Sequence, residues 1–373
     1  MSQEILRDYK KLEIRHLDEC DEDIEALLGH TLLGTEGGLR YSVLNHEERM
    51  KSYGKGLSFL ALFKRNSLIG AIGLCKRKTF NCGEGYNTTF LRYLSIRSSF
   101  QISHVSRRKR ERLSAFEDSF KKQIFSMFSN ALQDIQGKGH PSDPHVAYAF
   151  IESSNERSRN FAVQGGYEQV SSFYTTAFSR FNPRMDPAVS RLSNTEEEEM
   201  GDLLDEQYRD FCFYYDEFRF FNKGYYVLRK DNQIVAGANA MPAVFKIVDF
   251  PGLAGWILLN ILPYTPYFRK LFSRGKFRFL ILDSVYCRPG YEDQLPRLFE
   301  GICASESCSS ALTWHDEKSS ICRALRSNRR LGVLNRILKT EPGLVVASFS
   351  NLDEEKKSKF SELPVYVSGV DLV

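Results

Sequence analysis

The order of strand-like and helix-like runs most constrains the fold of this chain, because a similar order occurs twice. Up to about residue 180 the apolar patterns predict strand, two helices, three strands, helix, strand, helix and strand. After a proline-containing linker at Phe181–Pro187, a partly similar order follows from about residue 196. Two copies of one architecture explain this order more simply than one irregular domain. We therefore predict an α/β fold of two domains, 1–181 and 188–373, each with a central mixed sheet flanked by helices.

Several local patterns are clear. Two strand-like runs, 57–64 and 67–75, are joined by Arg65-Asn66, which predicts a hairpin turn. Residues 80–88 are rich in Asn and Gly and predict a loop. Between 113 and 135 apolar residues recur at steps of three and four, which predicts an amphipathic helix.

Composition limits the class of protein. Of 373 residues 42% are hydrophobic and 26% are charged, which is typical of a soluble globular protein with enough apolar residues for two cores. The first residues are charged and show no secretory signal. The longest apolar run, about 250–268, is interrupted by Pro263 and Pro266, so we predict no transmembrane segment. Eight cysteines without CxxC spacing argue against zinc or disulfides and favour a cytoplasmic protein with reduced thiols.

The segment 151–170, IESSNERSRNFAVQGGYEQV, follows an apolar run and precedes a second strand-like run. One interpretation is an ordinary strand–helix–strand unit, in which Asn155 caps the helix and glycines end it. The other is one wall of a cofactor site. The spacing that distinguishes them involves five positions: Asn155, Ser158, Phe161, Gly166 and Tyr167.

With this spacing and element order, residues of about 10–180 resemble the GNAT family of acyl-CoA-dependent N-acyltransferases. Residues of about 188–350 resemble a more decayed copy. The resemblance implies that two adjacent strands separate and that the pantetheine of acetyl-CoA, or of a longer acyl-CoA, pairs with their edges. Here these are the strand ending at Ser95-Ile96 and the strand Val146–Ile151. It also implies transfer of the acyl group to an amine of an unknown acceptor.

The family binds the CoA pyrophosphate with a loop of the pattern Gln/Arg-x-x-Gly-x-Gly/Ala at a helix start. Two registers fit this chain, beginning at Gln101 or at Arg110, and both lack the central glycine. A Cβ there narrows the approach of the backbone to phosphate. The cofactor-binding residues implied by the resemblance are Ser95, Ile96, Gln101, Ser103, His104, Ser106, Arg107, Arg110, Asn155 and Phe161.

The basic run 107–112 contains five cations in six residues and has three interpretations. It can pair with CoA phosphates, since guanidinium groups suit phosphate geometry. It can equally be a solvated loop without a ligand. A nucleic-acid patch is the third interpretation, but the run lacks interleaved aromatics and the net charge is only +4, which argues against it.

Catalytic residues are the least defined part of the prediction. The family acid is often a Tyr seven residues after the Asn equivalent, where this chain has Ala162. We take Asn155 and Glu84 as catalytic candidates, with Asn155 holding a water or the substrate amide and Glu84 in a predicted substrate-side loop; the sequence identifies no general base. His46 is a further loop candidate. Ala162 and the missing loop glycine favour the alternative, a catalytically inactive GNAT-fold protein that binds a ligand or a protein partner.

In the second half, Arg288 and Gly290 occupy the place of a phosphate loop, but Glu292 and Asp293 repel pyrophosphate if they face it. We therefore expect this half to be non-catalytic. The apolar stretch from Leu253 packs between the domains, covers an apolar substrate or touches a membrane surface.

Overall fold

A computed structural model describes most of the chain. It gives the backbone of residues 3–9 and 157. It gives the side chains as well for 12–29, 32–34, 40–44, 56–97, 124, 126–132, 143–156, 158–249, 252, 255, 260, 261, 264, 265, 276–338 and 341–372. The predicted amphipathic helix lies partly outside these residues, and its described part, 126–132, is helical. Most of the apolar insertion 250–273 also lies outside them.

The strands of the described residues follow the predicted alternation, with longer hairpins than expected. They are β1 (Gln3–Tyr9), β2 (Leu12–Leu17), β3 (Arg40–Val43), β4 (Leu57–Lys64), β5 (Ser67–Asn81), β6 (Glu84–Ile96), β7 (His145–Glu152), β8 (Glu168–Ser179), β9 (Val189–Arg191), β10 (Tyr225–Lys230), β11 (Gln233–Asp249), β12 (Phe277–Cys287), β13 (Ser310–Asp316) and β14 (Gly343–Ser350).

Helices connect or flank these strands. Those with defined bounds are α1 (Glu22–Gly29), α2 (Glu156–Gln164), α3 (Glu197–Tyr208), α4 (Leu295–Ser305), α5 (Ser320–Ser327), α6 (Val333–Ile337), α7 (Glu354–Glu362) and α8 (Gly369–Leu372). The predicted turn Arg65-Asn66 is confirmed, since both residues have positive φ between β4 and β5.

The predicted loop at 80–88 is wrong, because β5 and β6 form one long hairpin that turns at Cys82-Gly83. The polar residues that suggested a loop alternate with buried ones, such as Tyr86 and Thr88, so the segment is a strand with one buried face. Both turn residues have positive φ, which suits a tight two-residue turn.

All the strands listed above join one mixed sheet. Its order is β1-β2-β4-β5-β6-β7-β14-β8-β13-β12-β11-β10-β9, and β3 pairs with β11. Strand β14, from the C-terminal half, lies antiparallel between β7 and β8. Strand β8, from the N-terminal half, lies between β14 and β13. The two halves therefore exchange strands, and their strands form one continuous sheet.

The sheet is covered on both faces. On one face a single apolar cluster contains residues of both halves, among them Phe59, Phe90, Tyr148, Phe213, Phe279 and Tyr366. We call it the shared core. On the other face each half has its own cluster, with Phe128 and Phe161 in the first and Leu298 and Phe299 in the second. Burial of such side chains is worth about 1.5–3 kcal/mol each, so the shared core ties the halves together.

None of the helices in the described part of the chain is long and apolar enough to cross a membrane.

Candidate active site

The sheet opens between β6 and β7. These parallel strands pair from Asn87 with His145 to Leu91 with Ala149. Both strands continue, β6 to Ile96 and β7 to Glu152, but no ladder joins them further among the residues described. We call the opening bordered by 92–96 and 150–152 the first fork. An opening of this kind gives an extended ligand two strand edges to lie between.

A bulge in β6 accompanies the first fork. Gly73 of β5 pairs with Arg92, whereas Ala71 pairs with Ser95, so β6 has an extra residue at this point. Tyr93 there has φ of 55°, in the left-handed region. A Cβ on Gly73 would lie 3.2 Å from the Tyr93 ring, so glycine permits this close approach. Because a bulge bends its strand, it turns the last residues of β6 away from β7.

Aromatic rings fill the sheet face beside the first fork. The rings of Phe90 and Tyr148 lie 5.0 Å apart, centroid to centroid, and Tyr148 stacks on Phe213 at 4.1 Å. Phe150 lies 5.4 Å from Phe173. Burial raises the pKa of the Tyr148 phenol, which therefore stays neutral. This side of the fork is apolar and excludes water.

A buried ion pair interrupts this apolar face. Arg77 on β5 donates two hydrogen bonds of 2.9 Å to the carboxylate of Asp371, and Tyr215 donates a third of 3.0 Å. The Arg77 and Asp371 side chains are 4% and 1% exposed. Burial lowers the pKa of Arg77, but the adjacent carboxylate outweighs it and the pKa is raised. The Arg77 guanidinium therefore keeps its charge, and its two hydrogen bonds fix the segment around Asp371 against β5.

The residues predicted for the strand edges lie where the first fork is. Ser95 is buried and Ile96 half-buried at the end of β6. Phe161 is buried on α2 and packs against the opposite sheet face. Ala162 is buried beside it, so α2 offers no phenol at the family's acid position.

Asn155 begins α2. Its Oδ1 accepts a hydrogen bond of 3.1 Å from the Ser158 amide, so its side chain caps the helix. This geometry agrees with the simpler of the two sequence interpretations, and its proposed part in catalysis stays a prediction. Gly166 follows α2 with φ of 76° and turns the chain back into the sheet, where Tyr167 is buried.

Glu84 lies at the other end of β6 from the first fork. At about 3.3 Å per residue it is roughly 30 Å along the strand from Tyr93. It accepts a hydrogen bond of 2.7 Å from Tyr86 and pairs with Lys356 at 3.2 Å. The hydrogen bond from Tyr86 and the pairing with Lys356 lower the pKa of Glu84, which is therefore a weak base. The structure does not bring Glu84 together with Asn155 or Ser95.

The predicted phosphate-binding residues lie outside the described part of the chain, and so does His46. They are Gln101, Ser103, His104, Ser106, Arg107 and Arg110. Their roles stay predictions.

A second fork lies in the C-terminal half. Parallel strands β12 and β13 pair only at Leu280 with Ala311 and at Ile281 with Leu312. We call the opening bordered by 282–287 and 313–316 the second fork. It too accompanies a bulge, since the register of β12 against β11 shifts here and Ser284 has φ of 46°. Both halves therefore contain two parallel strands that separate next to a β-bulge.

The two forks differ in charge. The residue before the bulge is Arg92 in the first fork and Asp283 in the second, and both are buried. Asp316, on the facing strand of the second fork, is buried as well. The Gly290 amide in the following loop donates to the Glu292 carboxylate at 3.2 Å, so an acidic side chain already occupies that amide. An anionic ligand is therefore favoured at the first fork and disfavoured at the second.

Sequence reasoning missed Arg77, Arg92 and Asp371. A signal for Arg77 exists, since Cys75 and Arg77 alternate with exposed Lys76 and Lys78 and so share the inward face of β5. No local pattern indicates Asp371 as its partner, because the two residues meet only through the tertiary fold.

Solved structures of N-acyltransferases are among those that resemble this chain, and the likeness is one of fold. A crystal structure of Saccharomyces cerevisiae N-myristoyltransferase with bound myristoyl-CoA has a TM-score of 0.55 at 12% identity, over 98% of this chain and 91% of that chain. A second structure of that enzyme with myristoyl-CoA gives 0.51 over 98% and 87%. A GCN5-related N-acetyltransferase from Anabaena variabilis gives 0.46 at 8% identity, over 90% and 72%.

No protein-family model and no curated protein matches the sequence. The likeness to N-myristoyltransferase is thus one of fold, and it confirms the GNAT resemblance and the mixed α/β class that the sequence predicts.

Proposed function

We propose that the first fork binds an acyl-CoA, acetyl or longer, and that the protein transfers the acyl group to an amine of an acceptor still to be identified. The observation that carries this proposal is the first fork with its bulge at Tyr93. The N-myristoyltransferase structures of the same fold contain myristoyl-CoA, which supports an acyl-CoA as the donor.

Acyl transfer depends more on holding the amine next to the thioester than on a side chain of unusual reactivity. The amine nitrogen attacks the thioester carbonyl, the C–N bond forms, the C–S bond breaks, and the thiol takes up a proton as the amine loses one. The apolar rings of Phe90 and Tyr148 keep water from a thioester held in the first fork. The buried cation of Arg92 favours the negative charge that develops on the carbonyl oxygen.

The predicted phosphate-binding residues fit this arrangement by their place in the sequence. Strand β6 ends at Ile96 in the first fork, and the segment from Gln101 to Arg110 follows directly. Asn155 and Phe161 follow β7 on the other side of the opening. We therefore retain these residues as the proposed donor site and place no catalytic role on Glu84.

We further propose that the C-terminal half is a second, degenerate copy, with 1–181 and 188–373 as the duplicated units. The recurrence of a fork with a bulge supports this. The acidic residues of the second fork support one donor site per chain. The free cysteines of the structure support the cytoplasm, a reducing compartment, as the location.

Calorimetric titration tests the proposal directly. We expect one molecule of acetyl-CoA or of a longer acyl-CoA to bind per chain. Ala149 is the last paired residue of β7 at the first fork, and Leu312, whose side chain lies on the other face of the sheet, is the last paired residue of β13 at the second. Ala149→Leu should narrow the first fork and weaken binding at least tenfold, which is about 1.4 kcal/mol.

Leu312→Ala is the matched control, and it should leave acyl-CoA binding unchanged. Circular dichroism at the titration temperature verifies that both variants are folded. Absence of binding by acetyl-, octanoyl- and myristoyl-CoA to the unmodified protein would reject the proposed function.

A catalytically inactive binding protein is the second candidate. Two observations favour it, the burial of Ala162 at the acid position and the capping bond of Asn155 to Ser158. Release of free thiol from bound acyl-CoA, measured with a panel of small amines and peptides, distinguishes the candidates. Binding without thiol release across the panel favours the inactive protein.

A further inference from the structure

The second fork is not open to solvent, because a segment of the same chain lies against it. Seven successive residues, 365–371, are buried. We call residues 361–371 the tail segment. Burial of so many successive backbone groups requires partners for them, and the second fork supplies several.

Strand β13 and the turn after it hold the first part of the tail segment. Lys318 Nζ donates to the carbonyl oxygens of Ser361 at 2.5 Å and of Leu363 at 3.3 Å. The buried carboxylate of Asp316 accepts a hydrogen bond of 2.8 Å from the Lys318 amide and so holds this turn in place. The Lys318 ammonium thus binds the end of α7 and the residue after it, and the backbone of Cys212 pairs with Pro364 and Tyr366 just beyond.

Strand β12 holds the second part from the opposite side. The carboxylate of Asp283 accepts 2.9 Å hydrogen bonds from the Gly369 amide and the Ser368 hydroxyl. The hydroxyls of Ser284 and Tyr366 are 3.0 Å apart. Hydrogen bonds to a buried carboxylate are stronger than those between neutral groups, so Asp283 holds Ser368 and Gly369 tightly against β12.

The tail segment also fits the fork closely. A Cβ on Gly369 would lie 2.4 Å from Cγ2 of Ile281 and 3.0 Å from the Trp314 ring. Ile281 is the last paired residue of β12, so the glycine backbone packs directly onto the point where the strands separate. The cavity that remains beside Asp283 and Tyr366 has a volume of about 10 Å³, enough for about one water.

From these contacts we propose that the second fork is a peptide-binding site for the chain's own tail segment. The opening between the strands of the second fork thus receives a segment of the chain itself. Of its two facing carboxylates, Asp283 binds the Gly369 amide of the tail segment, and both Asp283 and Asp316 repel the phosphates of CoA. The inference goes beyond the acyl transfer proposed above and does not depend on it.

The binding site has a structural consequence for the first half. Beyond Gly369 the tail segment reaches Arg92, whose Nη1 donates to the Val370 carbonyl at 3.5 Å, and then Arg77, which pairs with Asp371. The second fork therefore sets where Val370 and Asp371 lie beside the first fork.

Hydrogen exchange of the full-length protein tests this inference without reference to activity. Lys318→Met removes the donor to two carbonyls, and Gly369→Ala inserts a Cβ against Ile281. Both should raise the exchange rates of the amides of 365–369 at least tenfold. Glu362→Gln, at an exposed position at the start of the tail segment, is the control and should change none of these rates.

Asp371→Asn weakens the contact of the tail segment with Arg77 and leaves its contacts with the second fork in place. It should raise exchange mainly at 370–372 and leave 365–369 protected by the second fork. If Asp371→Asn releases the whole segment while Lys318→Met and Gly369→Ala do not, the second fork is not the binding site and the inference is rejected. Urea unfolding curves of each variant separate local release from a general loss of stability.

Acyl-CoA stoichiometry gives an independent readout. The inference predicts that the unmodified protein and Lys318→Met each bind one acyl-CoA per chain. It also predicts that the tail segment is released only in Lys318→Met. A protein that binds no acyl-CoA but still protects 365–369 rejects the proposed function and supports the inference.

Discussion

A buried carboxylate that accepts hydrogen bonds from uncharged groups makes stability depend on pH. Burial raises the pKa of Asp283 to about 6, against about 3.9 in an unfolded chain. The protonated form is thus favoured in the folded state. The contribution of Asp283 to stability is full below pH 4 and is lost as the pH rises through 6.

Asp283→Asn should remove this dependence. The unfolding free energy of the variant minus that of the unmodified protein should increase by about 2 kcal/mol from pH 4.5 to pH 7.5. This follows because one pKa unit is worth 1.36 kcal/mol. Urea unfolding at the two pH values measures the difference. Buried His315, whose pKa is lowered to about 3, destabilises both proteins equally in acid and cancels in this comparison. A difference that does not vary with pH would contradict the prediction.

Single elements show what sequence reasoning reaches and what it does not. Turns such as Arg65-Asn66 and the start of α2 at Asn155 are local, so the sequence predicts them. Local polarity predicts a loop at 80–88 instead of the β5–β6 hairpin, because burial of the alternate side chains depends on rings from 211–215 and from α7. The Arg77–Asp371 pair and the occupant of the second fork depend on residues distant in sequence, and no local pattern indicates them.

The capping bond of Asn155 allows its two proposed roles to be separated. Asn155→Ala should lower the free energy of unfolding by about 1 kcal/mol, whereas Asn155→Ser should nearly preserve it, since a serine oxygen also caps. If Asn155 also contacts the substrate amide, Asn155→Ser should lower kcat while stability is kept. Equal kcat for Asn155→Ser and the unmodified enzyme would restrict Asn155 to capping.

The whole molecule is held together by the strand exchange. Strand β8 has neighbours only from the C-terminal half, β14 and β13, and β14 has neighbours only from the N-terminal half, β7 and β8. The mixed fold class and the recurrence of the elements could be predicted from the sequence. The exchange could not, because strand order depends on packing between the halves rather than on any run of residues.

A chain of residues 1–181 should therefore not fold alone, because it lacks β14 and exposes one face of the shared core. We expect it to show no cooperative thermal transition by circular dichroism. Co-expression with 188–373 should restore a transition and a soluble complex. A cooperative transition of the 1–181 chain by itself would contradict this prediction.

The strand exchange also has a consequence for synthesis on the ribosome. Strands β7 and β8 leave the exit tunnel well before β14, which begins at Gly343, after Ser179 at the end of β8. At a translation rate of roughly 5–20 residues per second, the nascent chain keeps these edges unpaired for roughly ten to thirty seconds. Because unpaired strand edges aggregate, we expect nascent chains of this protein to depend on chaperones during that interval.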